Sequence, residues 1–467
     1  TFAWVFTISQ ANGPGVFIDQ SETIPAGDFP YSICAADFDK DGYNDFAVAN
    51  FISDNIFVRL NSGDGTFESP LEISVDKDPT SIIAADLDGD SYPDLAIVNR
   101  LTGTAFGTIT VLLNNGDGSF SEQLKDSVHE SPFSLTSADF DCDGDIDLAV
   151  GHLNGSIATY VSILENIGDG TFAEPVKYLY LSSIFSIRAD DVNNDGAIDL
   201  IFADYYNDLI GVLPNTGDGS FGSINTTEVD ELPNSLYCGD FDIDGDLDLA
   251  VVNSGSNNLV ILNNNGDGYF PSHSIYSVGR VPSSVYGNDL DGDGDIDLVV
   301  TNKNTDDISI MFNMGDGNFE VPITYPVGDK PAAIIICDFT GDDIPDLMIV
   351  NEGSDDISLL VNKQPTDIPM EIALPSEFEL FQNYPNPFNP TTNIQFYLEK
   401  SDDIVLSIYN IAGQKVITLI DKRLGTGLHK ISWAGTDSYG IEVASGIYFY
   451  QLKTGDSIKS RKMILLK

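Results

Sequence analysis

The chain has 467 residues, 42% of them hydrophobic, enough for two or three domains with packed cores. It carries 21 Lys and Arg against 73 Asp and Glu, and the excess is uneven: residues 1–365 hold 11 basic and 62 acidic groups, residues 366–467 hold 10 and 11. The first part lacks the clustered cations that phosphate contacts need, which excludes nucleic acid as a partner and points to bound cations instead.

The opening residues 1–11 have two readings. Ser9 and Ala11 fit the small residues of a signal-peptide cleavage site, and the same stretch also reads as a degenerate strand. No segment reaches the eighteen apolar residues of a membrane span. Cys34, Cys142, Cys238 and Cys337 share no spacing and the chain has 4 histidines, so we expect buried free thiols rather than zinc or a disulfide framework.

From residue 12 to 363 the chain repeats itself. The motif D-x-D-x-D-G-x-x-D, followed by apolar residues, starts at Asp37, Asp86, Asp139, Asp191, Asp240, Asp289 and Asp338, in steps of 49, 53, 52, 49, 49 and 49 residues. A second motif, N-x-G-D-G-x-F, starts at Asn61, Asn114, Asn166, Asn215, Asn264 and Asn313, and its Phe always precedes the next acidic loop by 19 residues. Each unit holds short β-like runs, such as residues 81–85, 95–98, 109–113 and, more weakly, 71–75, and no run has a helical period. Four strands in about fifty residues describe a propeller blade. The predicted fold is therefore all-β, a seven-bladed propeller. The seventh copy loses its Gly-Asp-Gly turn after Asn362, and a strand near residues 16–24 is expected to complete that blade.

Carboxylates at positions 1, 3, 5 and 9 of a loop with Gly at 6 wrap oxygen ligands around a cation of Ca2+ size. The β-rich flanks argue against an EF-hand. Asp and Gly also make ordinary polar turns, but so many crowded carboxylates repel by roughly 1–4 kcal/mol per pair at effective dielectrics of 80 to 20. We therefore expect up to seven Ca2+ ions. The candidate ligands are Asp37, Asp39, Asp41 and Asp45; Asp86, Asp88, Asp90 and Asp94; Asp139, Asp141, Asp143 and Asp147. They continue with Asp191, Asn193, Asp195 and Asp199; Asp240, Asp242, Asp244 and Asp248; Asp289, Asp291, Asp293 and Asp297; and Asp338, Thr340, Asp342 and Asp346. Loop two has Ser91 at the Gly position. Loops four and seven lose a ligand charge at Asn193 and Thr340 and are expected to bind more weakly.

Seven such motifs in phase resemble the FG-GAP or VCBS repeats of integrin α-subunit propellers and their bacterial relatives. That resemblance implies Ca2+ held in the hairpin between the first and second strands of each blade.

A linker at 364–377 ends the repeats, and strands at 393–398, 404–409, 415–419, 430–433 and 446–452 predict a small Ig-like β-sandwich over 378–467. The stretches Asn383-Tyr-Pro-Asn-Pro-Phe-Asn-Pro390, residues 409–416, residues 444–449 and the basic residues 461–467 resemble the type A C-terminal sorting domain of the type IX secretion system. The resemblance implies that this machinery is a partner and that the protein is secreted or held at the cell surface. The alternative is a plain domain of the flagellar hook-capping kind, because fold alone does not imply sorting.

Few residues break the repeat as catalytic groups would. His129 and His273 fall in outer-strand regions, His429 in the C-terminal module, and His152 takes the place of Asn50, Asn99, Asn253, Asn302 and Asn351. We read the chain as not an enzyme but a binding or adhesion module for an extracellular glycan or protein. The alternatives are a calcium-dependent polysaccharide-cleaving propeller and a purely structural surface protein. From the last Asp of the loop to the next Asn the distance is 16 residues in five repeats, 20 in the second and 19 in the third. The lengthened loops nominate Arg100, Thr102, Phe106, His152, Asn154 and Tyr160 as ligand-binding residues, against neutral drift of a tolerant loop.

Overall fold

The computed structural model describes residues 16–19, 23–103, 106–128, 131–153, 159–180, 183–363, 379–380, 392–398, 400, 402–411, 413–424, 427–438, 443–455 and 458–465. Residues 1–11, the linker at 364–377, Asn154, His129 and the Asn383–Pro390 stretch lie outside them. The chain divides into two compact units, Thr1–Pro365 and Thr366–Lys467.

Among the described residues the first unit holds seven antiparallel sheets. Blade one is Pro30–Ala36, Asp45–Asn50, Asn55–Arg59 and Leu71–Ser74 in spatial order, and blades two to six repeat that path. In blade seven the strands Pro331–Cys337, Asp346–Asn351 and Asp356–Lys363 are completed from the other end of the sequence: Val16–Asp19 pairs with Asp356–Lys363 in the register Phe17 to Asn362. The first strand of each blade packs against the first strand of the next, and Pro331–Cys337 packs against Pro30–Ala36, so the ring is closed. Closure covers the faces of every blade with its neighbours and leaves only the short outer strands as sheet edges.

The sequence explains the layers of a blade. All six positions of every second strand are buried, because a neighbouring blade covers each face, and those strands read as continuous apolar runs. One core cluster joins Phe38, Ala47 and Val58 of blade one to Ile82, Leu95 and Leu112 of blade two. The fourth strand of blade one, Leu71–Ser74, is mostly exposed.

The C-terminal unit is a sandwich. One sheet runs Glu379–Leu380, Thr392–Leu398, Gly427–Trp433; the other runs Lys415–Leu424, Asp402–Asn410, Gly446–Lys453, Ile458–Leu465. Ile394, Phe396 and Trp433 from the first sheet share a core with Leu406, Tyr450 and Met463 from the second. The basic tail is the edge strand Ile458–Leu465.

Candidate metal loops and the opposite mouth of the ring

Every acidic loop joins the first and second strands of its blade. Position 6 needs a left-handed backbone, with φ of 97° at Gly42, and Ser91 and Asp343 adopt it in loops two and seven at 72° and 62°. The position-1 carboxylate then accepts from the amides at positions 5 and 6, as Asp37 does from Asp41 and Gly42. Carboxylate oxygens converge to within 4.8 Å of one another in five loops: Asp37, Asp39 and Asp45; Asp86, Asp88 and Asp90; Asp139, Asp141 and Asp147; Asp240, Asp242 and Asp244; Asp289, Asp291 and Asp297. The fourth and seventh loops, with Asn193 and Thr340 at position 3, form no such group among the described residues. Three hard oxygen donors converging around one point fit a cation of Ca2+ size.

The position-9 aspartates do something the sequence did not reveal. Asp45 is buried and accepts from the Phe38 amide through Oδ2 and from the Asn61 amide through Oδ1, at 2.8 and 2.7 Å. It therefore pins the acidic loop to the next motif's asparagine. Burial pushes its carboxyl up to about 7, partly offset by those two amides, and Asp297 rises to about 8 for the same reasons.

The asparagine of N-x-G-D-G-x-F is a staple between blades. Its Nδ2 donates to the position-2 carbonyl of the preceding blade's acidic loop: Asn61 to Phe339, Asn114 to Phe38, Asn215 to Phe140, and Asn362 to Leu290. The motif's Phe packs on that same position, with Phe120 5.4 Å from Phe38 and Phe319 5.6 Å from Phe241 between ring centroids. The Gly-Asp-Gly turns and the acidic loops thus share one end of the ring.

The opposite end is built by two features that recur in every blade. The first strand carries a β-bulge at its second residue, where the pairing slips, for example between Pro30 and Ser32. The residue after the second strand donates its amide to the carbonyl just before the first strand, as Phe51 does to Phe29 and Glu352 to Lys330. Bulge residues from all seven blades line a channel of about 360 Å3, and Tyr205, Ser254 and Lys303 from the second set line it too. The side chains do not repeat. The bulge is aromatic in blades one, three and four (Tyr31, Phe133, Phe185) and small or polar elsewhere (Thr80, Asn234, Ser283, Ala332). The second position is Phe51, Arg100 and Leu153 in the first three blades, then Tyr205, Ser254, Lys303 and Glu352. Tyr31, Phe133, Phe185 and Tyr205 touch in sequence, with centroids 5.9, 4.9 and 4.0 Å apart.

The ligand-binding set nominated from loop length comes apart here. Arg100 holds the position after the second strand of blade two, at the end opposite the acidic loops but not in the channel lining. Thr102 and Phe106 are exposed on the lengthened loop, the Thr102 amide donating to Asp78. His152 does not project: it is 1% exposed at the end of its strand, 2.9 Å from the Ser162 hydroxyl. It bridges second and third strands as Asn253 does to Asn258. Tyr160 lies within the strand Thr159–Leu164 rather than on a loop. Inserted length marked where the loop grew, not which residues face the channel.

Comparison with known proteins agrees with this architecture. The model of the FG-GAP-like repeat matches residues 37–97, 191–251, 240–300 and 289–349, and that of the secretion system C-terminal sorting domain matches 382–466. The chain carries FG-GAP-like repeats and a secretion system C-terminal sorting domain. The sorting domain indicates export by a type IX system and attachment at the cell surface. No curated protein matches the chain. Among solved structures, a periplasmic gluconolactonase of Pseudomonas aeruginosa is similar over 86% of this chain and 99% of its own, with a TM-score of 0.52 and 13% identity. That likeness is one of fold. It also corrects the expectation that the chain is not an enzyme: a propeller of this shape serves an enzyme, so neither the fold nor the scarcity of catalytic motifs excludes catalysis, and no activity is established for this repeat propeller.

Proposed function

We propose that the FG-GAP propeller is a calcium-stabilised module that binds an extracellular ligand, glycan or protein, at the end of the ring opposite the acidic loops. One observation carries this reading. The same backbone position after the second strand recurs seven times with the same amide hydrogen bond, yet holds aromatic, aliphatic, hydroxyl, cationic and anionic side chains in turn. A position that only closed the ring would be free to repeat, as the asparagine staple does. Calcium takes the stabilising part: the Asp37, Asp86, Asp139, Asp240 and Asp289 loops would hold it, and its charge would relieve the crowding of their carboxylates.

The test is a binding screen of the purified chain against extracellular glycans and proteins, with calcium and with chelator, repeated on Tyr205→Ala. The reading expects a ligand that is lost in Tyr205→Ala while the calcium-loaded melting temperature is retained. A ligand bound equally by both would move the site elsewhere.

A further inference from the structure

The channel at the end opposite the acidic loops is one cavity with two unlike walls. Tyr31, Phe133, Phe185 and Tyr205 line it from blades one, three and four, and Phe185 and Tyr205 lie face to face with centroids 4.0 Å apart. Across the ring, blades five and six contribute Asn234, Ser235, Ser283, Ser284 and Tyr286. One wall is aromatic, and the other carries hydroxyls and an amide.

Some of these polar groups hold blades together. Asn234 donates to the Ser283 carbonyl at 3.2 Å, Ser283 donates to the Pro331 carbonyl at 2.7 Å, and the Ser235 hydroxyl accepts the Val285 amide at 3.3 Å. Others are unengaged. The hydroxyls of Ser186, Ser284, Tyr205 and Tyr286 make no hydrogen bond among the described residues, and each stays open to solvent. A hydroxyl both donates and accepts, so a guest that covers these groups must do the same or leave them unmet at a cost.

Charge narrows the guest further. None of the channel's described lining residues is acidic, and its two cations each have a carboxylate outside the lining. Lys303 is paired with Glu352 at 2.7 Å. Arg188 acts on Asp190, whose carboxyl is pushed up by burial and drawn back by the Asp191 amide and that guanidinium. An anionic guest would find no unmatched charge here, and it would have to approach a propeller in which acids outnumber bases 62 to 11. A cationic guest would meet no carboxylate in the wall.

We infer that the channel takes the end of an uncharged glycan, with the C–H face of a terminal sugar ring on the aromatic wall and its hydroxyls exchanging hydrogen bonds with Ser186, Ser284 and Tyr286. This rests on the mouth being the binding surface. A sugar ring joins an apolar face to a hydroxylated edge, as the two walls do in reverse. The cavity of about 360 Å3 lies at the low end of the roughly 300–1,000 Å3 of small-ligand pockets, room for a chain end rather than a folded partner.

The experiment is calorimetric titration of the full chain, calcium-loaded, with cellohexaose, mannohexaose and xylohexaose as neutral probes, oligogalacturonate as an acidic one and a casein digest as a source of peptides. We expect a neutral oligosaccharide to bind, the acidic and peptide probes not to, and the affinity to hold from low to high salt, since no charge pairing is involved. Tyr286→Phe keeps the ring and removes only the hydroxyl, and it should weaken binding about fivefold, the worth of one neutral hydrogen bond. Tyr205→Ala should weaken binding by about tenfold or more, and Tyr205→Phe, which restores the ring, should recover part of that loss. Preference for oligogalacturonate or peptides, an affinity that falls steeply with salt, full affinity in Tyr286→Phe, or no binding of any neutral probe would overturn the neutral-sugar assignment. In those cases a different ligand still lost in Tyr205→Ala keeps the mouth as the binding surface, and a ligand indifferent to it removes that as well.

Discussion

The two ends of the propeller are made by the same strands and follow opposite rules. At the acidic end the side chains repeat with the backbone: aspartates at positions 1 and 9, and asparagine staples from Asn61 to Asn362, recur around the ring. At the other end the backbone repeats and the side chains do not. Repetition is what a ring asks of parts that hold neighbouring blades together, since each seam is the same problem solved seven times. Broken repetition on a repeated backbone marks positions free to specialise, and a rigid scaffold gives such positions a fixed geometry.

The comparison is tested most strongly by removing metal. A cation that binds only the folded ring stabilises it by RT ln(1 + [L]/Kd), about 2.7 kcal/mol per site at a hundredfold excess over Kd. Five converging loops would lower the melting temperature of the propeller by roughly 10 °C or more on chelation. Scanning calorimetry with and without chelator reads this, and the sandwich transition should stay in place. A propeller that melts alike in both buffers would show that the acidic end stabilises the ring without calcium.

Next in size are the staples. Asn215→Ala deletes the bonds to the Phe140 and Ile198 carbonyls, of which Phe140 keeps the Gly219 amide at 3.1 Å, at a cost of about 1–3 kcal/mol. Chemical denaturation should show that loss with calcium present as well as absent. A neutral outcome would mean that the Phe–Phe packing, not the asparagine, closes the seam.

A smaller effect separates the buried carboxyls from the metal. Asp45 and Asp297, pushed up to about 7 and 8, bind protons more tightly folded than unfolded, where an aspartate titrates near 3.9. The folded state then carries the extra proton between those values, so the chelated protein should lose stability as pH rises from about 4 to about 8. Calcium needs the carboxylates ionised and should flatten or reverse that slope. Melting temperatures across this pH range, with and without calcium, check the sign.

Much of this was legible beforehand. The 49-residue step and the 19-residue offset of Phe could only come from one repeated unit, and the missing turn after Asn362 pointed to the N-terminal strand that pairs there. The staple was not legible, because Asn114 reaches a carbonyl 76 residues earlier and its partner is backbone, which leaves no mark in the sequence. The mouth was half legible. Length picked out Arg100 but also His152, which the ring uses as a strand-bridging substitute for asparagine. A better signal was present: aligned on the asparagine that ends the second strand, the very next column stops repeating.

The smallest expected effect is also the one that decides whether the two ends differ in kind. Tyr206 is 65% exposed and touches Tyr205 and Phe185 edge-on, and Arg100 makes no ion pair among the described residues. Neither makes a hydrogen bond or ion pair between blades through its side chain among the described residues, and changes that remove no such partner usually stay within about 0.5 kcal/mol. Tyr206→Ala and Arg100→Gln should therefore keep the calcium affinity and shift the melting temperature by about 1 °C or less. The result holds meaning only beside Asn215→Ala in the same buffers. If the mouth variants melt as low as the staple variant, the unrepeated side chains hold the ring together too, and their variety reflects packing rather than recognition. If they melt like the parent, the mouth's diversity costs the fold nothing, and its unrepeated side chains are left to a ligand.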